Sequence, residues 1–111
     1  MSENVGFAGQ IGPEHISQVV EKGFKSIINN RPDLEGGAEQ PTTAQMEAAA
    51  REAGIEYVYL PVIPGQLTEA DVRTFADQYN ALAKPVLMFC RTGNRSNSLY
   101  QLAKQMDLLD D

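Results

Sequence analysis

Short apolar runs alternate with longer stretches of helical periodicity along the chain, and this alternation limits the possible folds more than any other feature. The apolar runs predict four strands, at residues 5–8, 24–28, 55–62 and 85–89. Parallel strands need a long crossover connection, usually a helix. Strands separated by helices therefore predict an α/β domain with a mostly parallel central sheet flanked by helices.

Four helices are predicted from apolar residues at helical spacing. Two of them open with capping boxes, Thr42 with Gln45 and Thr68 with Asp71, and the last is predicted over residues 96–106. Their expected inward-facing residues are Ile16, Val19, Val20, Met46, Ala49, Ala50, Ala53, Val72, Phe75, Ala76, Tyr79, Leu82, Leu99, Leu102, Ala103 and Met106.

Length and charge narrow the classes of function. The 111 residues suit a single domain over 1–111, and the net charge of -6 argues against nucleic acid or an anionic membrane as a general partner. No apolar stretch approaches the roughly 20 residues that cross a bilayer, and the first ten residues do not form a signal-peptide pattern. The single histidine gives no ligand set for a metal, so neither a metal nor a cofactor is expected. A lone cysteine favours a reducing compartment, most simply the cytoplasm.

The stretch "FCRTGNRSN", residues 89–97, contains that cysteine, Cys90. It follows a predicted buried strand and precedes the last helix, where α/β proteins bind ligands. The helix N-terminus favours both an anion and the thiolate form of Cys90. Cys90 and Arg95 are the candidate catalytic residues. Candidate substrate-binding residues are Arg91, Thr92, Gly93, Asn94, Ser96 and, from the loop after the second strand, Arg31.

Simpler interpretations exist for both loops. Cys90 could be a small buried apolar residue beside two solvated arginines, although its place at the end of a strand favours a functional role. Arg31 or Asn30 could line the anion pocket, or Arg31 could pair with Asp33 or Glu35 to brace its loop. The surrounding Asn, Pro and Asp residues are also ordinary turn formers.

Several segments carry a family resemblance. "CRTGNRS" resembles the active loop of single-domain rhodanese-like sulfurtransferases. Together with "FAGQI", "KSIINNRPDLE" and "QPTTAQMEAAAREAGIEYVYLPV", it resembles the phosphatase-like domain of beta-lactamase-hydrolase-like proteins over residues 5–104. This resemblance implies a fold like that of the cysteine-dependent tyrosine and dual-specificity phosphatases. It also implies bacterial sulfide and persulfide metabolism, with a persulfide dioxygenase-like protein as a fused or neighbouring partner.

The loop departs from the phosphatase pattern in two ways. Phosphatases of this class place five residues between the nucleophilic cysteine and the arginine that clamps phosphate, whereas four separate Cys90 from Arg95, and Ser96 takes the arginine's place. Residues 61–67, where those enzymes have an acid, contain none. General acid catalysis contributes about 10²–10⁴-fold, and sulfur transfer to a thiol depends on it less than phosphate ester hydrolysis does.

These departures predict a rhodanese-like sulfurtransferase. Cys90 would take sulfane sulfur from thiosulfate or a small persulfide, hold it as a persulfide and pass it to an external thiol. Its partners would then be a small anionic sulfur donor and a thiol acceptor. The alternatives are a cysteine-dependent phosphatase that forms a phosphocysteine, and a non-enzymatic module that senses anions or redox state through Cys90.

Overall fold

Four short parallel strands form the central sheet of the computed structural model, which describes residues 4–110. They are β1 (Val5–Ala8), β2 (Ser26–Asn29), β3 (Glu56–Tyr59) and β4 (Val86–Phe89). Their order across the sheet is β1-β4-β2-β3, and each neighbouring pair is parallel. The predicted α/β fold with a parallel central sheet is confirmed.

Helices connect the strands and cover both faces of the sheet. They are α1 (Ile16–Glu21), α2 (Thr43–Ala53), α3 (Glu69–Ala81) and α4 (Asn94–Gln105), and single 3₁₀ turns occupy Pro13–His15 and Gly37–Glu39. Both predicted capping boxes are present at the starts of α2 and α3. Within residues 4–110, no helix combines the length and apolar character needed to cross a bilayer. Residues 1–3 and 111 of the predicted single domain lie outside the described part.

Successive strand residues point to opposite faces of the sheet and so build two cores. Ile28 and Met88 pack with α3 and α4 on one face, where Tyr79 and Tyr100 meet edge to face with ring centroids 5.7 Å apart. Ile27 and other residues of the opposite face pack with α1 and α2. The sheet is therefore buried on both sides, as its continuous apolar runs require.

The register of the sheet brings all four strand ends to one level. Phe89, the last residue of β4, pairs with Ala8 of β1 and with Asn29 of β2. Asn29 in turn pairs with Tyr59 at the end of β3. The residues that follow these strands consequently meet along one edge of the sheet.

Two predicted strands are longer than the observed ones. The apolar run 55–62 forms a strand only over Glu56–Tyr59. Pro61 has no N–H and cannot continue the ladder, although Leu60 still donates its N–H to Asn29 at the end of β2 and Val62 donates to Asn30. Similarly, β2 begins at Ser26 and not at residue 24.

Helix α4 begins at Asn94, two residues before its predicted start, because Gly93 adopts a left-handed conformation as its N-cap. Three residues predicted to face inward are exposed instead. Val20 and Leu102 are each 39% exposed, and Ala53 is also exposed. Each lies at the edge of the apolar face of its helix, and that face is wider than the surface against which the helix packs.

Two leucines of α4 test this assignment of the core. Leu99 is 1% exposed and Leu102 is 39% exposed. We expect Leu99→Ala to lower the free energy of unfolding by about 2–5 kcal/mol, because it leaves a cavity between α4 and the sheet. Leu102→Ala should cost about 1 kcal/mol or less. Urea denaturation followed by circular dichroism measures both, and equal losses would contradict the described packing.

Candidate active site

Backbone hydrogen bonds join the segments that follow β1, β2 and β4. The N–H of Gln10 donates to the carbonyl oxygen of Arg91 at 3.2 Å, and the N–H of Asn30 donates to the carbonyl oxygen of Phe89 at 2.9 Å. The residue after β4, Cys90, donates its own N–H to Ala8 at 3.4 Å. The end of β1 with the chain after it, and the chain after β2, therefore hold the start of the cysteine loop in place.

The loop folds tightly around the sulfur of Cys90, which is 1% exposed. The N–H of Gly93 donates to Sγ at 3.1 Å. Gly93 has a φ of +92°, and a Cβ at this position would lie 3.3 Å from the carbonyl oxygen of Ala8. Only glycine readily combines this left-handed backbone with this close approach, so a glycine is required where the loop turns at position 93.

The surroundings of Cys90 stabilise its thiolate. Burial raises the pKa of the thiol, but hydrogen bonds from the backbone of Ser96, Thr92 and Gly93 oppose burial, and the pKa lies below its usual value. Ser96 lies in the first turn of α4, where backbone N–H groups have no acceptor within the helix. The start of α4 thus supplies the charge stabilisation that the sequence predicted.

A buried pair of polar side chains fixes Ser96. Its hydroxyl donates to Oδ1 of Asn30 at 2.8 Å, and Nδ2 of Asn30 donates to the carbonyl oxygen of Leu60 at 2.9 Å. Both Ser96 and Asn30 are 0% exposed. Asn30 thereby ties α4 to the chain beyond β3, a role that the sequence did not indicate.

Two arginines share one carboxylate beside the cysteine loop. Oε1 of Glu35 accepts hydrogen bonds from Nε of Arg31 and from Nη2 of Arg95, each at 3.0 Å, and Oε2 accepts from Nη1 of Arg95 at 3.1 Å. Arg31 also donates to Gln10 at 3.1 Å. Of the two partners considered for Arg31, the structure therefore gives Glu35; Asp33 accepts from the N–H of Thr43 instead.

Glu35 is held in its ionised form. The hydrogen bond from Arg95 lowers its pKa; burial opposes this effect more weakly, and the hydrogen bond and charge of Arg31 lower the pKa further. A carboxylate with a lowered pKa is a poor proton donor near neutral pH. Glu35 consequently anchors arginines and does not replace the acid that is missing from residues 61–67.

Within the part of the chain that the structure describes, the contacts of Arg95 leave one edge of its guanidinium free. Nη1 donates one hydrogen to Glu35 and the other to the carbonyl oxygen of Val62, the latter at 3.0 Å. Nη2 donates one of its two hydrogens to Glu35. Arginine has five N–H donors in a rigid fork. The Nε–H and one Nη2–H of Arg95 remain, an arrangement that suits bidentate binding of an anion.

A cavity of about 710 Å³ opens at this edge of the sheet. It is lined by Arg31, Glu35, Gly36, Pro64, Arg91 and Arg95. Of the predicted site residues, the three arginines line this cavity, and the structure places Gly93 and Ser96 around the sulfur. Thr92 and Asn94 are exposed to solvent and do not line the cavity. The N–H of Asn94 donates to the Thr92 hydroxyl at 3.3 Å. Cys90 is not part of the lining but is covalently next to Arg91, which is.

The two acids in the first turn of α3 have structural roles. Asp71 accepts the N–H of Thr68 at 3.0 Å in the capping box, and Glu69 pairs with Arg73 of the same helix. Neither lines the cavity. Glu35 is thus the one carboxylate in its lining among residues 4–110.

Comparison with known proteins identifies the family. Residues 1–107 match the model of the phosphatase-like domain of the beta-lactamase hydrolase-like protein. The chain belongs to this family. The phosphatase-like domain is 36% identical over 107 residues to the beta-lactamase hydrolase-like protein of Xylella fastidiosa strain Temecula1 and 37% identical to that of Agrobacterium fabrum. Each match covers 96% of this chain but 25% of the relative, so the chain spans about a quarter of their length.

Solved structures agree with this assignment. A proposed phosphatase of Neisseria meningitidis is 31% identical, with a TM-score of 0.86 over 96% of this chain and 75% of that one. TpbA of Pseudomonas aeruginosa is 20% identical, with a TM-score of 0.70 over 95% of this chain and 62% of that one, which shows a shared fold. The predicted resemblance to cysteine-dependent phosphatases is confirmed at the level of fold and family.

The prediction of a sulfurtransferase is wrong. The family is phosphatase-like, and the structural relative at 31% identity is a proposed phosphatase. The comparisons therefore favour the alternative prediction of a phosphatase. The prediction counted residues between Cys90 and Arg95 as if one loop had to surround the anion alone. In the structure, residues from several segments line the cavity, and Arg31 and Glu35 come from the chain after β2. Loop length was therefore a poor measure of the available donors.

The lowered pKa of Cys90 has a measurable consequence. Because the chain has one cysteine, thiolate absorbance in the ultraviolet reports Cys90 once the absorbance of the matching Cys90→Ser protein, which retains the four tyrosines, is subtracted. We expect Ser96→Ala to move the titration to higher pH, since it removes the hydrogen bond to Asn30 that holds the start of α4, whose backbone N–H groups stabilise the thiolate. The matched control Ser98→Ala, at an exposed position of the same helix, should leave it unchanged. Identical titrations in the two variants would contradict the role of Ser96.

The same shift affects stability. A native pKa below the unfolded value means that the unfolded chain binds more protons between the two values, so stability rises with pH across that window. The contribution is fully present above the unfolded pKa and is lost as the pH falls through the native one.

Proposed function

We propose that this domain is a cysteine-dependent phosphatase that works through a phosphocysteine. The observation that carries the proposal is the presence of Cys90 and Arg95 in one short loop. A buried thiol with a lowered pKa stands five positions before a guanidinium that is fixed by Glu35 and keeps one edge free. A nucleophile and a bidentate anion clamp are the two groups that phosphoryl transfer to a thiolate requires.

In the first step, the phosphoryl group of a monoester binds in the cavity. The free edge of Arg95 donates to two of its oxygens, and the backbone N–H groups at the start of α4 add positive potential. The thiolate of Cys90 attacks phosphorus. An S–P bond forms, the P–O bond to the leaving group breaks, and the departing oxygen takes a proton from water.

The leaving group determines which esters react. Because Glu35 is ionised and residues 61–67 contain no acid, the domain offers little protonation to the departing oxygen. Esters of acidic alcohols need this help least. Aryl phosphates are therefore the favoured class, and the rate should fall steeply as the pKa of the leaving alcohol rises.

The second step returns Cys90 to its thiolate. Water attacks phosphorus and the S–P bond breaks. The electron pair of that bond returns to sulfur, and inorganic phosphate leaves. The backbone N–H groups that lower the pKa of Cys90 stabilise the same thiolate as it departs. One set of donors thus serves both steps.

The relatives support this proposal without fixing the substrate. TpbA, whose fold is shared at 19% identity, was solved as a Cys-to-Ser variant with phosphotyrosine, an aryl phosphate. The sulfur donor and thiol acceptor predicted as partners fall with the sulfurtransferase interpretation. A persulfide dioxygenase-like partner and a cytoplasmic location stay proposals that rest on the sequence and its resemblance.

Hydrolysis of para-nitrophenyl phosphate tests the function. We expect turnover that falls by a factor on the order of 10⁴ or more in Cys90→Ser, because the nucleophile is lost. Mass spectrometry of rapidly quenched wild-type protein should detect a gain of one phosphoryl group on the chain. Equal rates in both proteins would contradict the proposal. Anion binding without turnover would favour the non-enzymatic sensor.

Glu35 offers a second test of the site. We expect Glu35→Gln to lower kcat/KM by about tenfold or more, since a neutral amide holds the guanidinium of Arg95 less firmly in its productive orientation. Glu47→Gln is the matched control, because Glu47 also pairs with an arginine, Arg51, but on the exposed surface of α2. If the two substitutions have the same small effect, Glu35 does not position Arg95.

A further inference from the structure

Arg91 differs from every other arginine of the chain. Four of the five arginines are ion-paired: Arg31 and Arg95 with Glu35, Arg51 with Glu47, and Arg73 with Glu69. Within residues 4–110, the side chain of Arg91 has neither an ion pair nor a hydrogen bond. This contrast is informative because acidic residues outnumber Lys and Arg by 15 to 9, so carboxylate partners are abundant.

The backbone of Arg91 is nevertheless firmly held. Its carbonyl oxygen accepts the N–H of Gln10 at 3.2 Å, and a Cβ at Gly9 would lie 3.1 Å from that oxygen. The residue directly follows Cys90, which is buried, while Arg91 itself is exposed and lines the cavity. A guanidinium without an ion pair among the described residues is therefore attached to a fixed backbone position next to the nucleophile.

The cavity is larger and more strongly charged than one phosphoryl group requires. Its volume of about 710 Å³ falls within the roughly 300–1,000 Å³ typical of sites for whole small molecules. Three arginines and one carboxylate line it, and its lining includes no aromatic side chain among the described residues. Charge, and not stacking, is therefore the main means of recognition that this surface offers.

We propose that Arg91 forms a second anion subsite, so that the preferred substrate is a phosphomonoester carrying another phosphate or carboxylate group. The assignment of the reacting phosphoryl group to Cys90 and Arg95 rests on the proposed function. The fork of Arg91 is free to bind the second anion through charge-assisted hydrogen bonds. The net charge of -6 disfavours long polyanions, so the second group lies on a small or locally anionic substrate.

Calorimetric titration with pyrophosphate and with inorganic phosphate tests the subsite without requiring turnover. We expect the wild type to bind pyrophosphate more tightly than phosphate, and Arg91→Ala to reduce that preference by about tenfold or more. Arg51→Ala removes the same charge from an exposed arginine of α2 and should preserve the preference. Arg91→Lys, which keeps the charge but loses the fork, should give an intermediate value.

The outcomes separate this inference from the proposed function. If wild-type protein shows no preference, or if Arg91→Ala and Arg51→Ala change it equally, the subsite is refuted. If the preference depends on Arg91 but para-nitrophenyl phosphate is not hydrolysed, the subsite stands and the phosphatase proposal falls. Phosphoglycolate distinguishes the second group: an Arg91-dependent gain over phosphate as large as that of pyrophosphate supports a carboxylate.

Discussion

The parallel register of β1, β4 and β2 is the constraint on which the site depends. Because Ala8, Phe89 and Asn29 are level, the chain leaves three neighbouring strands at one edge of the sheet. Backbone hydrogen bonds then connect the three exits and fix the position of Cys90 before any side chain takes part. A shift of one strand by one residue would turn its side chains to the opposite face and separate these segments.

The second organising element is the sharing of Glu35 by two arginines. One carboxylate cannot neutralise two guanidinium groups, so the cluster keeps a net positive charge in an acidic protein. The side chains of Arg31 and Arg95 are 11% and 15% exposed, which limits screening by solvent and salt. The same contact both orients Arg95 and leaves the cavity attractive to anions.

Much of this structure could be read from local patterns. The capping boxes at Thr42 and Thr68, the alternating burial of the strands and the position of Cys90 after β4 all follow from neighbouring residues. The contacts that complete the site join distant ones: Glu35 and Arg95 are 60 positions apart, and Asn30 and Ser96 are 66 apart. No local rule indicates such pairs. Counting residues within "CRTGNRS" therefore predicted a sulfurtransferase wrongly, because the count treated one loop as the whole anion-binding site.

The close approach of Gly93 to Ala8 links the length of the cysteine loop to the edge of the sheet. A Cβ at position 93 would already lie 3.3 Å from the Ala8 carbonyl oxygen, so the loop has no slack on that side. Inserting a fifth residue between Cys90 and Arg95 would require β1 to move outward or the loop to bulge into the cavity. The loop length and the position of the first strand can thus change only together, which makes the four-residue spacing a property of the whole sheet edge.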